Sequence, residues 1–366
     1  MKYTRMPIEI ESPEQMGYEN VRYNLTESSF SDFHFKNLDL NLNELVLCYG
    51  DHLGHKKMRG LIAKEYTLHE DHVMLTVGAA SALFILATSL LEKDDRLLVL
   101  RPNYATNIET PKAIGAKIDY FDLKIQNNFM INMTDLIQAI KPDTKLVSIT
   151  TPHNPTGMMI AESDLKLLAQ VCQEKGIHLL VDETYREMAF EKITPLAATL
   201  NDHVISVSSV SKSYGLPGIR LGWLINQDPK LMELFLAAKE QIFICGSMLD
   251  EEVAYQFMLK KDQYFEKIFP KMKLHLKIVN DWMNEEKNLT CVAPSGGVVC
   301  FPEMKSHINP EAFYKILNDK YKTFVGPGHW FEQPRSFFRL GFGWPETDDL
   351  KAGFKSISQA LAEAQV

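Results

Sequence analysis

The most informative part of this sequence is Ser208-Ser209-Val210-Ser211-Lys212-Ser213-Tyr214-Gly215-Leu216-Pro217-Gly218-Ile219-Arg220-Leu221-Gly222-Trp223. It places Lys212 between small hydroxyl residues, follows it with glycines that let the backbone approach a ligand closely, and adds an arginine eight positions later. The mainly apolar residues 204–207 just before it are typical of a buried strand. Lys212 is therefore predicted to lie just past a strand end, where parallel α/β sheets bind their ligands.

Strand and helix patterns alternate along most of the chain around this stretch. Predicted strands cover residues 73–77, 96–100, 117–121, 145–150, 178–181, 204–207 and 222–225. Helical patterns cover residues 54–66, 78–91, 104–114, 133–139, 162–174, 229–244 and 250–286. This alternation predicts an α/β fold with a mainly parallel seven-stranded sheet between helices.

The two ends of the chain have a different pattern. Residues 1–45 are mostly irregular and polar, and we predict that they form an N-terminal arm that adds a segment to a small domain. Residues 46–275 then form the large domain, and residues 276–366, which mix strands and helices, form the rest of a smaller α+β domain. A chain of 366 residues is long enough for two such domains.

Composition excludes several classes of function. With 39 lysines and arginines against 47 aspartates and glutamates, the formal net charge is −8, so we expect no binding to nucleic acid or to a membrane. The five cysteines are widely spaced and form no C-x-x-C pair, as expected for reduced thiols. No apolar run has the length of a signal peptide or of a membrane span. We therefore expect a soluble cytoplasmic protein.

The lysine stretch resembles the motif S-x-S-K-x-x-x-x-x-G-x-R-x-G of the class I/II aminotransferases, which are fold-type-I enzymes similar to aspartate aminotransferase. Every fixed position of that motif is filled between Ser209 and Gly222. Further motifs follow the family order from about Asn24 to the C-terminus. The resemblance implies pyridoxal 5'-phosphate (PLP) as the cofactor, a large PLP-binding domain, and a homodimer with shared active sites.

The cofactor phosphate has several candidate ligands. Gly78, Ala79 and Ala80 follow a predicted strand and open a helix, whose free backbone N–H groups can point at an anion. Ser209 would add a hydroxyl, and Arg220 would add a guanidinium that can contact two phosphate oxygens. The resemblance implies the same roles, because the matching positions bind the phosphate in the family.

The pyridine ring has its own candidates. Asp182 ends an apolar run, where a buried carboxylate needs a partner such as a protonated pyridine nitrogen. The resemblance implies that Tyr185 and Asn154 bind the phenolic oxygen. It also implies that Tyr104 stacks on the ring and that Tyr49 reaches the phosphate in the neighbouring subunit. By themselves, an N-capping aspartate and an N-P-T-G turn are the plainer interpretations of two of these motifs.

The amino-acid substrate has a candidate anchor in Arg339, which matches the family arginine that binds the α-carboxylate at two points. The resemblance implies that Asn154 also contacts the substrate. It further implies that Lys212 holds PLP as a Schiff base and then acts as the general base at Cα. With Asp182 and Tyr185 as the other catalytic residues, the implied reaction is transamination between an L-amino acid and a 2-oxo acid.

One part of the site departs from the family pattern. Many relatives have a glycine beside the substrate where this chain has Thr26-Glu27-Ser28-Ser29. Glu27, with Asp51, could place negative charge at the substrate and favour a basic amino acid such as arginine or ornithine; both could equally be solvated surface carboxylates. A basic substrate keeps open a PLP-dependent lyase or cyclase similar to capreomycidine synthase, because such enzymes share the same lysine, aspartate and arginine.

Two other classes of function have less support. Residues 51–55 and 69–72 contain histidines and carboxylates but lack the HExxH spacing, so we expect no metal site. A PLP-binding regulator without turnover usually carries a DNA-binding domain, and no basic helix-turn-helix segment precedes residue 24. We therefore predict an enzyme.

Overall fold

The computed structural model describes residues 1–190 and 193–366. Within these ranges the strands are β1 (Tyr23–Leu25), β2 (Val73–Thr76), β3 (Arg96–Arg101), β4 (Lys117–Asp122), β5 (Thr144–Thr150), β6 (His178–Asp182), β7 (Val204–Ser209), β8 (Gly222–Ile225), β9 (Leu289–Thr290), β10 (Val299–Cys300), β11 (Glu303–Met304), β12 (Thr323–Pro327) and β13 (Phe338–Gly341). The α-helices are α1 (Ile8–Glu11), α2 (Pro13–Met16), α3 (Lys56–Glu65), α4 (Gly78–Leu90), α5 (Thr106–Ile114), α6 (Met133–Ala139), α7 (Glu162–Glu174), α8 (Pro229–Phe243), α9 (Met248–Met258), α10 (Lys261–Glu285), α11 (Pro310–Lys315) and α12 (Thr347–Glu363). No helix in the described part of the chain is both long enough and apolar enough to cross a membrane.

The centre of the larger part of the molecule is a seven-stranded sheet with the order β2-β8-β7-β6-β5-β3-β4. Strands β4, β3, β5, β6 and β7 pair in parallel, whereas β8 is antiparallel to both of its neighbours. The predicted mainly parallel seven-stranded sheet is therefore confirmed. The central strands are almost wholly buried because helices cover both faces, which explains their nearly continuous apolar sequences.

Helices pack on both faces of this sheet. On one face, α4 and α8 share an apolar core with Leu180 of β6. On the other face, α6 and α7 share a core with Leu179 and Val181. Side chains that alternate along one strand thus enter opposite cores. Because the strands are parallel, the carboxyl ends of β5, β6 and β7 meet at one edge of the sheet.

A second, smaller sheet joins the two ends of the chain. Its order is β1-β12-β13-β10, and β1 pairs in parallel with β12, with Tyr23 opposite Thr323. Helix α12 packs against β1 and β12. The predicted smaller α+β unit, built from the N-terminal arm and the C-terminal part, is confirmed. Its boundaries at residues 45 and 275 stay a prediction, and α10 continues unbroken across residue 275.

The structure differs from the predicted elements mainly near the N-terminus and after residue 250. The arm contains α1, α2 and β1, although its sequence has no clear periodicity. Strand β1 forms there because it is hydrogen-bonded to β12, a strand far along the chain. The predicted helical stretch 250–286 is divided into α9 and α10, since the backbone leaves helical geometry at Lys260. Helix α3 begins at Lys56 because the His55 side chain accepts a hydrogen bond from the Met58 N–H group and caps the helix.

The start of β8 packs directly against the start of α4. A Cβ added to Gly222 would lie 2.4 Å from the carbonyl carbon of Gly78 and 2.5 Å from the nitrogen of Ala79. Backbone atoms cannot rotate away as a side chain can, so we expect Gly222→Ala to lower the free energy of unfolding by about 1–3 kcal/mol in urea denaturation. Gly218→Ala is the matched control, because a Cβ there meets nothing within 4 Å. Equal stability of the two variants would contradict this prediction.

Candidate active site

The carboxyl ends of β5, β6 and β7, the start of α4 and the N-terminal arm surround a cavity of about 370 Å³. The predicted site residues that line it are Glu27, Ala79, Ala80, Tyr104, Asn154, Asp182, Tyr185, Ser209, Lys212, Arg220 and Arg339. They are far apart in sequence, and the fold brings them together because parallel strands deliver their following loops to one edge.

Two predicted residues are not part of this lining. Gly78 lies directly behind it with a φ of +69°, a conformation that favours glycine. A Cβ at Gly78 would lie 2.5 Å from Nη2 of Arg220. Tyr49 is 80% exposed and does not line the cavity of its own chain. Its predicted contact with a neighbouring subunit stays a prediction.

One corner of the cavity combines a helix start with a guanidinium. Ala79 and Ala80 belong to the first turn of α4, where backbone N–H groups lack partners within the helix. Ser209 ends β7 and faces the same cavity. Arg220 donates from Nη1 to the Pro217 carbonyl at 2.8 Å. Its Nη2 lies beside Gly78, the residue before Ala79, which has no side chain. This corner therefore has the donors and the space that a phosphate group needs.

Asp182 ends β6 at the floor of the cavity and is only 4% exposed. Its Oδ1 accepts hydrogen bonds from the Thr184 hydroxyl at 2.6 Å and from the Thr184 N–H group at 3.1 Å. Burial raises the pKa of Asp182, while the hydrogen bonds from Thr184 and Asn107 act in the opposite direction. A protonated ring nitrogen in the cavity would stabilise the ionised form of this carboxylate.

Tyr185 and Asn154 add buried polar groups beside the same space. The Tyr185 hydroxyl is hydrogen-bonded to Oγ of Ser28 at 2.9 Å. Burial raises the pKa of Tyr185 to about 12, so the phenol stays protonated and can donate a hydrogen bond to an anionic oxygen. Tyr104 is half-buried in the cavity wall, where an aromatic face can pack on a planar ring.

Arg339 lies on β13 and is 5% exposed. Its Nη1 donates to Oδ1 of Asn154 at 3.1 Å, and its Nη2 donates to the Thr26 carbonyl. Its Nε is buried and has no hydrogen-bond partner within residues 1–190 and 193–366. Burial lowers the pKa of Arg339, while Tyr185 and Glu27 raise it. The guanidinium is thus held in one orientation, and one of its buried N–H groups has no partner in the described residues.

Lys212 follows β7 and is half-buried in the cavity wall. Its carbonyl accepts a hydrogen bond from the Phe30 N–H group at 3.1 Å, which ties the lysine loop to the N-terminal arm. The next residue, Ser213, donates from Oγ to the Thr184 carbonyl at 3.1 Å. Among the residues that the structure describes, Lys212 is the only lysine that lines the cavity.

The cavity also contains residues that are not among the predicted site residues. Those from the N-terminal segment are Ile8, Glu9, Ser12 and Glu14. Those next to predicted residues are Thr26, Ser28, Thr184 and Ser211. Thr26, Ser28 and Ser211 lie within the quoted stretches and Thr184 is two residues after Asp182, so the sequence indicates their proximity to the site, whereas nothing in residues 8–14 indicates that they reach it.

Asp51, the second carboxylate in the hypothesis of a basic substrate, does not line the cavity. Its carboxylate instead forms an ion pair with Arg59 at 2.9 Å. The carboxylates that line the cavity together with Glu27 are Glu9, Glu14 and Asp182. In the described residues, no group of three or more potential metal ligands comes together, whether near residues 51–55, near residues 69–72 or elsewhere.

Comparisons with known proteins agree with this geometry. The family described as aminotransferase class I and II matches residues 24–353. The chain is 28% identical to the capreomycidine synthase of Streptomyces vinaceus, over 87% of this chain and 82% of that protein. It is 26% identical to an aspartate aminotransferase of Sulfurisphaera tokodaii, over 89% of this chain and 84% of that protein. The crystal structure of a PLP-dependent aminotransferase from Streptococcus suis superposes over the whole of both chains with a TM-score of 0.92 and 27% identity.

The fold and the cavity therefore define a PLP-dependent enzyme. The chain belongs to the class I and II aminotransferase family, and its cofactor is pyridoxal phosphate. The residues present fit this cofactor. A Cβ at Gly78 would fill the space beside Arg220 that the phosphate requires, and the buried Asp182 suits a ring nitrogen that carries a proton.

Arg220 supplies the charged side chain of the phosphate corner. We expect Arg220→Ala to raise the Kd of PLP about 10–100-fold, because hydrogen bonds to charged groups contribute about 1.5–3 kcal/mol each. An absorbance titration of the cofactor-free protein measures this change. Arg220→Lys keeps the charge without the planar fork and should recover only part of the affinity. An unchanged Kd in Arg220→Ala would place the phosphate elsewhere.

Proposed function

We propose that the protein is a PLP-dependent aminotransferase that moves an amino group between an L-amino acid and a 2-oxo acid. One observation carries this proposal: a single lysine, Lys212, lines the same cavity as the buried Asp182 and Arg339 in the described part of the chain. PLP, when bound, supplies an aldehyde that bonds to amines and a ring that withdraws electrons from the amino-acid Cα. Transamination then needs a base, a partner for the ring nitrogen and an anchor for the α-carboxylate.

Each of these tasks has a residue in the cavity. Arg339 would bind the α-carboxylate and orient the Cα–H bond toward Lys212. Lys212 would hold the cofactor covalently and, once its amine is displaced, would take the Cα proton on Nζ and supply it to the carbon that the cofactor contributes and not back to Cα. Asp182 would keep the ring nitrogen protonated, and Tyr185 would donate a hydrogen bond to the phenolic oxygen.

We also propose that the active unit is a homodimer in the cytoplasm. Tyr49, Val46 and Leu47 are exposed next to one another in sequence, and clustered exposed apolar side chains are typical of an interface. In such a dimer Tyr49 would reach the phosphate corner of the neighbouring subunit. The cysteines, including the exposed Cys48, are unpaired, which supports a reducing compartment.

Steady-state kinetics with one amino acid and one 2-oxo acid test the proposed reaction. Transamination through one covalent site should give ping-pong kinetics, with parallel lines in double-reciprocal plots and equal amounts of the new amino acid and new 2-oxo acid. Turnover of the amino acid that does not depend on any 2-oxo acid would reject aminotransfer and leave the cofactor assignment intact.

A second candidate is a PLP-dependent lyase or cyclase. The similarity to a capreomycidine synthase supports it, as do the carboxylates Glu27 and Glu14 in the cavity. Such an enzyme would use the same Lys212 and Arg339 for the first proton transfer and would then eliminate or cyclise the side chain. Its signature in the kinetic test is a cyclised or eliminated product without consumption of a 2-oxo acid.

A further inference from the structure

The cavity contains negatively charged side chains that neither the cofactor nor the α-carboxylate of an amino acid requires. Arg220 suits the phosphate, Asp182 suits the ring nitrogen, and Arg339 suits the α-carboxylate. The other ionisable side chains of the lining, apart from Lys212 and the tyrosines, are Glu9, Glu14 and Glu27. All three are carboxylates, and the only part of an amino acid not yet matched is its side chain.

The backbone of Glu27 is fixed from both sides. The preceding carbonyl, of Thr26, accepts a hydrogen bond from Arg339. The following residue, Ser28, is hydrogen-bonded to Tyr185. A Cβ on Gly341 would lie 1.7 Å from the Glu27 carbonyl oxygen, so this strand presses closely on the arm. The Glu27 carboxylate is therefore presented to the cavity by a rigid segment and not by a mobile surface loop.

In the described residues this carboxylate forms no ion pair with a lysine or arginine, and its hydrogen-bonding neighbour is the Tyr18 hydroxyl. Within the part of the chain that the structure describes, neither Glu27 nor Glu14 forms an ion pair with a lysine or arginine, and the Arg339 guanidinium is directed at Asn154 and the Thr26 carbonyl instead. Burial raises the pKa of Glu27, Lys212 and Arg339 lower it, and the negative charge of Glu14 raises it. A half-buried carboxylate without a cation is unfavourable, and a positively charged ligand group would remove that cost.

A second observation, on Arg339, points to a ligand in the same cavity. Nε of Arg339 is buried without a partner in the described residues, on a side chain that is 5% exposed and lines the cavity. A buried guanidinium N–H group is costly unless it is hydrogen-bonded. The cavity thus combines a buried guanidinium N–H group that has no partner in the described residues with the half-buried carboxylate of Glu27 and the more exposed carboxylates of Glu9 and Glu14.

We propose that the substrate is an amino acid with a positively charged side chain, held by Glu27 and Glu14. This inference rests on the proposed function, because it assigns Arg339 to the α-carboxylate of the amino acid. Glu27 and Glu14 are positioning residues for the side chain, and Lys212 acts on Cα in the same way for every amino acid. The class includes guanidinium and ammonium side chains, which share the charge and differ in their hydrogen bonding.

Unreactive ligands test this without requiring turnover. The holoenzyme is titrated by calorimetry with 5-guanidinopentanoate and with 5-ureidopentanoate, which have the same length and carboxylate but differ in charge. A third ligand, 5-(trimethylammonio)pentanoate, separates ammonium from guanidinium recognition. None has an amino group that can bond to the cofactor. We expect at least one charged ligand to bind about tenfold or more tightly than the ureido ligand, equivalent to about 1.4 kcal/mol.

Neutral variants then assign the preference to residues. Glu27→Gln and Glu14→Gln should each reduce the ratio of charged-ligand affinity to ureido-ligand affinity, by up to about tenfold. The reduction should be larger for Glu27→Gln. The affinity for the ureido ligand should stay unchanged in both variants. Glu19→Gln, an exposed carboxylate of the same segment outside the cavity lining, is the matched control. Equal binding of charged and ureido ligands, or a preference that survives in Glu27→Gln and Glu14→Gln, would overturn the proposal.

Different results would contradict the proposed function and the proposed substrate class. If the charged ligand is preferred but no amino acid alters the visible absorbance of the holoenzyme, the proposed function is wrong and the charge recognition stands. If neutral and acidic amino acids react as well as arginine and ornithine, aminotransfer stands and the proposed substrate class is wrong.

Discussion

Lys212→Ala is expected to reduce the formation of 2-oxo acid from an amino acid by about 10⁴-fold, the upper range for losing a positioned general base. The reason is structural. Within the described residues no other lysine lines the cavity, so no second amine can take the Cα proton or hold the cofactor covalently. Single-turnover kinetics of the cofactor-loaded protein measure the loss.

The same variant should still bind PLP. Arg220, the start of α4 and Asp182 are unchanged, so the cofactor should be retained noncovalently while the visible band of the lysine-bound form disappears. Lys145→Ala changes an exposed lysine at the opposite end of β5 and should leave rate and spectrum as they are. A rate in Lys212→Ala within tenfold of the natural protein would mean that another group is the base.

Arg339→Ala is expected to lower kcat/KM for every amino acid about 10²–10³-fold, because truncating one partner of a buried hydrogen-bonded charge pair costs about 2–5 kcal/mol. Arg339→Lys should recover little of this. A lysine keeps the charge but cannot bind two carboxylate oxygens while it also contacts Asn154 and the Thr26 carbonyl, as the guanidinium does.

A decarboxylated substrate separates anchoring from misfolding. An amine without the α-carboxylate should react slowly with the natural protein and no more slowly with Arg339→Ala, because it never uses this residue. Arg96→Lys makes the same chemical change at the opposite edge of the sheet, where Arg96 pairs with Asp119, and should leave kcat/KM unchanged. If Arg339→Lys retained full kcat/KM, the α-carboxylate would be bound elsewhere.

Much of the fold could be predicted because its main signals are local. Buried parallel strands such as β6 and β7 are short apolar runs, and the polar residues that end them, Asp182 and Ser209, meet at one edge whatever the details of helix packing. The phosphate corner and the lysine loop could be located for the same reason, since each directly follows or precedes a recognisable element.

The N-terminal part could not be predicted in the same way, because it depends on contacts that are distant in sequence. Strand β1 is defined by its pairing with β12, and Glu14 reaches the cavity only through the placement of α1 and α2. Asp51 lies close in sequence to the motif that contains Tyr49, yet its charge is directed to Arg59 and not to the cavity. Which carboxylates face a substrate is therefore a property of the assembled fold.

Transfer of isotopic nitrogen from the amino acid to the cofactor tests directly whether the protein is an aminotransferase. The holoenzyme is incubated with one equivalent of an amino acid labelled with ¹⁵N at the α-amino group and with no 2-oxo acid. The cofactor is then released, and its mass is measured by mass spectrometry. We predict pyridoxamine phosphate that carries the label, in amounts equal to the 2-oxo acid formed, and neither product in Lys212→Ala. Unlabelled PLP together with labelled ammonia, or with a cyclised or eliminated product that retains the label, would contradict the account.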